Sequence, residues 1–139
     1  MAEHEMPAEG AFVWNELSTR DAGAAKKFYG ELLGWRFKEG QVGADSEGGG
    51  MTYSEIHVGD SPKGVGGLYQ MGPEFGEAPS HWMAYIAVDD VDAKAERVKE
   101  LGGSVCVPPT DIPNVGRFCV INDPTGATLS LITLKGGHA

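Results

Sequence analysis

The chain has 139 residues, 41% of them hydrophobic, which is the size and apolar content of one domain able to bury its own core. Its 20 acidic side chains against 11 basic ones give a formal charge of -9, which repels phosphate backbones and anionic headgroups and argues against nucleic acid and membrane partners. No apolar run approaches the ~20 residues that span a bilayer, and the opening MAEHEMPAEG has neither a basic start nor an apolar stretch, so the expected compartment is the cytoplasm.

In chain order, a flexible leader (1–10) precedes Ala11–Leu17, a run rich in strand formers. Ser18 to Asp21 then supplies helix-capping chemistry. Ala25, Phe28, Tyr29, Leu32 and Leu33 recur at helical intervals, so a helix with one apolar stripe is expected to pack on a sheet and to stop at Gly34. Trp35–Phe37 reads as a short strand, and Gly43–Gly50 (GADSEGGG) as a mobile loop. Met51–Val58 and Val65–Gln70 are two further strands around the turn-forming Gly59–Gly64. This first module, 11–70, has the order βαβββ.

A connection, 71–80, carries two prolines and two glycines, and then the pattern restarts. His81–Val88 is a strand, and Val91, Ala95, Val98 and Leu101 mark a helix ending at Gly102-Gly103. Ser104–Val107 is a short strand and Pro108–Gly116 a proline-interrupted loop. Arg117–Asn122 and Ala127–Leu134 form a hairpin around Asp123-Pro124-Thr125-Gly126. The second module, 81–135, repeats the first, with a tail at 136–139. A repeat of about 65 to 70 residues is too long for a solenoid unit, so two halves of one α+β domain, 11–135, are expected. Cys106 and Cys119 sit in apolar strand-like runs and are expected to be reduced.

Leu17-Ser18-Thr19-Arg20-Asp21 leads to Ala24–Tyr29 and Leu32-Leu33-Gly34-Trp35. Gly66-Gly67-Leu68, Asp89–Asp92 with Leu101-Gly102-Gly103, and Pro113–Arg117 with Asp123–Ala127 follow in order. In that order and spacing the chain resembles the vicinal oxygen chelate superfamily, which includes glyoxalase I, bleomycin-resistance proteins and extradiol dioxygenases. The resemblance implies tandem βαβββ modules forming a U-shaped, half-open, eight-stranded barrel with helices outside. It also implies a small-molecule ligand in the groove, and a homodimer. In metal-binding members, a His, Gln or Glu on the first strand of each module and a Glu on the last strand hold one divalent ion. Here the first-strand positions are read at Trp14 and Tyr85, and the last-strand positions near Gly67 or Leu68 and at Ser130. None is His, Asp or Glu, and neutral hydroxyl groups hold first-row cations too weakly to compete with water, so no metal and no cofactor are expected.

Trp14 and Glu16 alternate onto one face of the first strand, where Glu16 is either a proton acceptor that orients ligand or a solvated rim carboxylate. Tyr53, Glu55 and His57 also share a face. The alternatives there are an exposed sheet face, a groove lining with a general acid and base in Glu55 and His57, or a non-standard metal site recruiting Glu16 or His81. His81, Met83 and Tyr85 alternate against Trp82, Ala84 and Ile86, the first set toward the groove and the second toward the helix layer, or the reverse if a bulge intervenes. Ligand-binding candidates are thus Trp14, Tyr53, His57, Met83, Tyr85 and Ser130, with Glu16 and Glu55 as candidate catalytic groups. Arg117 is either an anion clamp or, preferably, a loop cap. Gly66-Gly67 is expected to permit a close approach of backbone or ligand. The leading reading is a metal-independent protein that sequesters a small aromatic or cationic molecule. The other is a lyase, isomerase or dioxygenase-type enzyme using a Glu base or a non-standard metal site.

Overall fold

The structure, a computed structural model, describes residues 7–42 and 51–135; the expected loop 43–50 and the histidines His4 and His138 lie outside them. The elements are β1 (Phe12–Thr19), α1 (Ala22–Leu33), β2 (Arg36–Val42), β3 (Met51–His57) and β4 (Gly66–Gln70). After a 3₁₀ turn at Pro73–Phe75 come β5 (His81–Ala87), α2 (Val91–Glu100), β6 (Ser104–Ile112), β7 (Gly116–Asn122) and β8 (Thr128–Leu134). The fold is α+β, and the βαβββ order appears twice, as the repeat in the sequence requires. By its contacts the chain groups into two compact units, Trp14–Met83, and Ala84 onward together with Met1–Val13.

In the unit Trp14–Met83 the strand order is β2-β3-β4-β1. β1 runs parallel to β4, with Glu16 opposite Gly67 and Ser18 opposite Tyr69, and β3 is antiparallel to both β4 and β2. Asp21 caps α1 by accepting from the Ala24 N–H at 2.9 Å, and Gly34 closes it in the left-handed region, φ 74°, donating its N–H to Gly30. Leu17, Ile56, Leu68 and Met71 are buried and form the apolar centre of this unit. One expectation fails: the stripe on α1 is not packed away. No residue of α1 is buried, and Phe28, Leu32 and Leu33 remain 57%, 63% and 51% exposed. Periodicity reports that a helix has an apolar face, but not that this face finds a sheet. Tyr29 joins a ring cluster, stacked on Trp35 at 5.3 Å and edge-on to Trp82 at 5.7 Å, with the exposed Phe28 ring edge-on to it at 5.0 Å.

In the second unit β5 pairs in parallel with β8, Tyr85 opposite Ser130 and Ile86 opposite Leu131. β7 runs antiparallel to β8 and β6. Asp90 caps α2 through the Ala93 N–H at 3.1 Å. Here the helix does bury its stripe: Val91 and Ala95 pack with Ile86, Val88, Cys119 and Leu131. One expectation is corrected. The proline-interrupted stretch after Val107 continues as strand to Ile112, because β6 is last in the strand order, where a missing N–H costs no ladder bond, and its register slips at Val107 and Thr110 absorb the prolines. Ahead of β1, Gly10 donates to Ala87 O at 2.8 Å, and the Glu9 carboxylate accepts the Asp89 N–H at 2.6 Å and faces Lys94 at 3.2 Å.

Candidate functional site

Alternation along β1 puts Trp14, Glu16 and Ser18 on the side of the sheet opposite the buried Leu17. Tyr53 reaches them from β3. The indole N–H of Trp14 donates to Tyr53 Oη at 2.9 Å, and the Tyr53 hydroxyl donates to Glu16 Oε2 at 2.7 Å. To get there the phenol crosses β4 at Gly67, where any β-carbon would run into the ring. The neighbouring Gly66 has a different reason: a β-carbon there would strike the Asn15 carbonyl of β1. The close approaches expected at these two glycines are therefore real. Beside Tyr53 lies Tyr69, its ring nearly parallel at 6.3 Å and followed by Phe75 at 6.0 Å, with the Ser18 hydroxyl donating to Tyr69 Oη at 2.7 Å. Burial pushes the Tyr69 phenol above its ordinary value; the Ser18 bond opposes this, and the charges of Glu16 and Glu74 add to it.

Glu55 lies opposite Gly67 on the same face, and its Oε1 is 2.9 Å from Nε2 of the buried His57, whose Nδ1 is 3.3 Å from Ser61 O. The expected Glu55–His57 pairing is present. No group of three His, Cys, Asp or Glu side chains assembles among the described residues, so neither Glu16 nor His81 joins this pair as a third ligand. His81 instead turns Nδ1 to Pro79 O at 2.8 Å.

In the second unit Tyr85 stands beside Ser130, with the Phe118 ring 6.4 Å from its own. Ser130 is fully buried and its hydroxyl has no hydrogen-bond partner among the described residues. Met83 is half-buried. Arg117 is held by Asp92 at 2.9 Å and Asp111 at 3.0 Å, which ties β7 to α2 and β6, a structural role rather than an anion clamp or a loop cap. A pocket of about 160 Å³ lies between Glu9, Val88 and Thr133, touches none of the candidate residues, and is smaller than the ~300 Å³ at which ligand pockets begin. Cys106 and Cys119 form no disulfide.

The two capping aspartates fix how the halves correspond. Seven residues before Asp21 is Trp14, and seven before Asp90 is Met83, so Tyr85 answers to Glu16 and the first-strand position of the second module moves from Tyr85 to Met83. The strand pairings agree, since Glu16 lies opposite Gly67 and Tyr85 opposite Ser130. The four positions thus carry an indole already bonded to a phenol, a thioether, a glycine and a buried hydroxyl. Such a set does not fit a hard or borderline divalent ion, which needs imidazole or carboxylate donors.

Residues 11–131 match the Glyoxalase/Bleomycin resistance protein/Dioxygenase superfamily. The chain belongs to it. Among curated proteins of this superfamily's sequence neighbourhood, "Putative glyoxylase CFP32" of Mycobacterium bovis is 39% identical over 88% of this chain and 44% of its own length. "Anthracycline biosynthesis protein DnrV" of Streptomyces peucetius is 39% identical over 93% of this chain and 43% of its own length. The chain therefore spans less than half of the curated relatives it matches. Methylmalonyl-CoA epimerase from Mycobacterium tuberculosis shares the fold, with a TM-score of 0.59 over 97% of this chain and 96% of that one, at 16% identity. Among the described residues no helix is long and apolar enough to cross a membrane.

The sequence reading missed Tyr69, Ser18 and Phe75. The first two were within reach, since Ser18 follows Glu16, and Tyr69 follows Gly67, at the two-residue step that keeps a side chain on one face. Phe75 sits on a 3₁₀ turn inside a proline-rich connection and carries no periodic signal.

Proposed function

We propose that residues 11–135 form one glyoxalase-like domain that binds a small, planar organic molecule on the β1–β3–β4 face without a metal, and that it acts by sequestering or carrying this molecule. The observation that carries this reading is the Tyr53 ring, nearly parallel to Tyr69 and locked by Trp14 and Glu16, a rigid aromatic surface with a polar edge. The DnrV relative supports it, because anthracyclines are planar polycyclic aromatic molecules. A homodimer in the cytoplasm completes the reading: exposed Phe28, Leu32 and Leu33 offer an apolar surface on α1, and two cysteines without a disulfide suit a reducing compartment.

A second reading, a lyase or isomerase with Glu16 or Glu55 as proton acceptor, is favoured by the 2.9 Å Glu55–His57 contact, which joins a carboxylate to an imidazole, two groups able to take and give a proton. One set of measurements separates the two. Titration of the purified protein with anthraquinone-type ligands should quench tryptophan emission, and Trp14→Phe should remove most of that quenching while Trp35 and Trp82 still report. Hemithioacetal and methylmalonyl-CoA turnover, measured with and without Ni²⁺ or Zn²⁺, should be absent. Turnover that Glu16→Gln or Glu55→Gln abolishes would replace binding by catalysis. Sedimentation as a monomer at micromolar concentration would remove the dimer.

A further inference from the structure

We infer that Arg20 is a positioning residue for the β1–β3–β4 face: it fixes the segment after β4 so that Phe75 extends the Tyr53–Tyr69 pair to a third ring, and the face thereby prefers longer fused-ring ligands. The inference rests on the planar-ligand face proposed above and adds what sets the length of ligand that the face prefers.

The segment from Met71 to Ser80 carries Gly72, Pro73, Gly76 and Pro79 and has no apolar period, so its own sequence does not give it a regular course. Its internal backbone bonds span three residues each: Phe75 N–H to Gly72 O at 3.1 Å, Gly76 N–H to Pro73 O at 3.0 Å and Ala78 N–H to Phe75 O at 3.2 Å. The end of β1 and the entry to α1 hold it from outside. At its start, Met71 N–H donates to Thr19 O at 2.8 Å. The Gln70 side chain spans the same junction, its Oε1 accepting the Ala22 N–H at 2.8 Å and its Nε2 donating to Arg20 O. At its far end, the Arg20 N–H donates to Ser80 Oγ at 2.9 Å. Between these ties the Arg20 guanidinium reaches the bend itself, Nε and Nη2 donating to Ala78 O at 2.9 and 2.6 Å and Nη2 also to Gly76 O. Both acceptors are main-chain carbonyls just after Phe75, and a rigid forked cation bound to two of them fixes orientation as well as distance.

The ring so placed is half-buried and lies 6.0 Å from Tyr69, which is nearly parallel to Tyr53 at 6.3 Å. Tyr69 is held from the same strand end, its hydroxyl accepting from Ser18 at 2.7 Å. Ser18 and Arg20 thus fix two successive rings. A third ring lengthens the aromatic surface, and each ring that a ligand covers adds to its affinity. The bonds from Arg20 to Gly76 and Ala78 are exposed, so losing them loosens the segment without opening the core around Leu17, Ile56 and Leu68.

The test uses the intact chain and two probes with one head group, 2-naphthylmethylammonium and 2-anthrylmethylammonium. They differ by a single fused ring, so contributions from charge and hydrogen bonding cancel in the ratio of their affinities. Measured by calorimetry, Phe75→Ala should weaken the anthryl probe about three- to tenfold and the naphthyl probe by less than about twofold. Arg20→Ala should do the same with Phe75 still in place, and combining the two should weaken neither probe further. Amide hydrogen exchange at Phe75, Gly76 and Ala78 should speed up in Arg20→Ala while the melting temperature stays within about 2 °C of the wild type. Arg20→Lys, which keeps the charge but lacks the fork, should also lower the ratio, and it carries the test if Arg20→Ala does not fold. An anthryl-to-naphthyl ratio that survives Phe75→Ala or Arg20→Ala, or equal weakening of both probes by Arg20→Ala, overturns the inference and leaves the planar-ligand face intact. Failure of both probes to bind the wild-type protein removes that face, and the inference with it.

Discussion

At the scale of single residues, the unusual feature is how many polar groups on one sheet face are bonded to each other. Tyr69 is the member whose titration should report this. Burial, with Glu16 and Glu74 adding to it and Ser18 opposing, raises its phenol above the ordinary value of about 10. A raised value in the folded state means that the fold holds the proton more tightly than the unfolded chain does. Its stabilising contribution is therefore complete below the unfolded value and is lost as pH climbs through the folded one. In an ultraviolet absorbance titration, Tyr69→Phe should remove an ionisation that lies above pH ~10. If the curve above that pH is the same in Tyr69→Phe as in the wild type, the environment described for Tyr69 is wrong. The sequence made Trp14, Glu16, Tyr53 and Glu55 visible, because strand alternation assigns faces without coordinates. It could not show that Tyr53 crosses a whole strand to reach Glu16, since that contact joins residues 37 apart and depends on a glycine that leaves no positive trace of its own.

At the scale of elements, the two helices form a controlled comparison. Both follow a parallel-paired strand, and both begin at an aspartate whose side chain accepts a backbone N–H three residues on. Their packing differs: α2 buries Val91 and Ala95, whereas no residue of α1 is fully buried. Removing a capping carboxylate costs about 1 kcal/mol, but where that loss appears depends on what the helix is packed against. Asp90→Ala should lower the melting temperature by a few degrees, because fraying of α2 opens the core it covers. Asp21→Ala should leave the melting temperature nearly unchanged and speed amide hydrogen exchange within α1 alone. A larger melting shift from Asp21→Ala than from Asp90→Ala would show that α1 is covered in solution, as it would be in the proposed dimer. Helix starts, helix stops and the repeat were legible, because capping residues and glycines act locally. The extent of β6 was not, because prolines forbid a central strand but are tolerated at an edge, and edge position is a property of the sheet.

At the scale of the whole molecule, the sequence repeats one βαβββ pattern twice while the chemistry at corresponding positions has diverged: Trp14 answers to Met83, Glu16 to Tyr85 and Gly67 to Ser130. The repeat was readable because its spacing is set by caps and turns. The correspondence of individual positions needed the capping aspartates as fixed points, and a count made from apolar residues alone slips by two. None of these positions supplies an imidazole or carboxylate except Glu16, which is bonded to Tyr53. This has a thermodynamic consequence that does not depend on any assay of activity. An ion that binds only the folded protein with a Kd of about 1 µM would, at about 100 µM, stabilise it by ~2.7 kcal/mol, enough to move the melting temperature by several degrees. Thermal melts of chelator-treated protein with Zn²⁺, Ni²⁺, Mn²⁺ or Fe²⁺ at that concentration should instead agree with the metal-free melt to within about 1 °C. A rise of several degrees that His57→Ala abolishes would place an ion on the Glu55–His57 pair and end the metal-free reading. A rise that Trp14→Ala and Met83→Ala leave untouched and no histidine variant removes would point to surface carboxylates of a chain whose charge is -9.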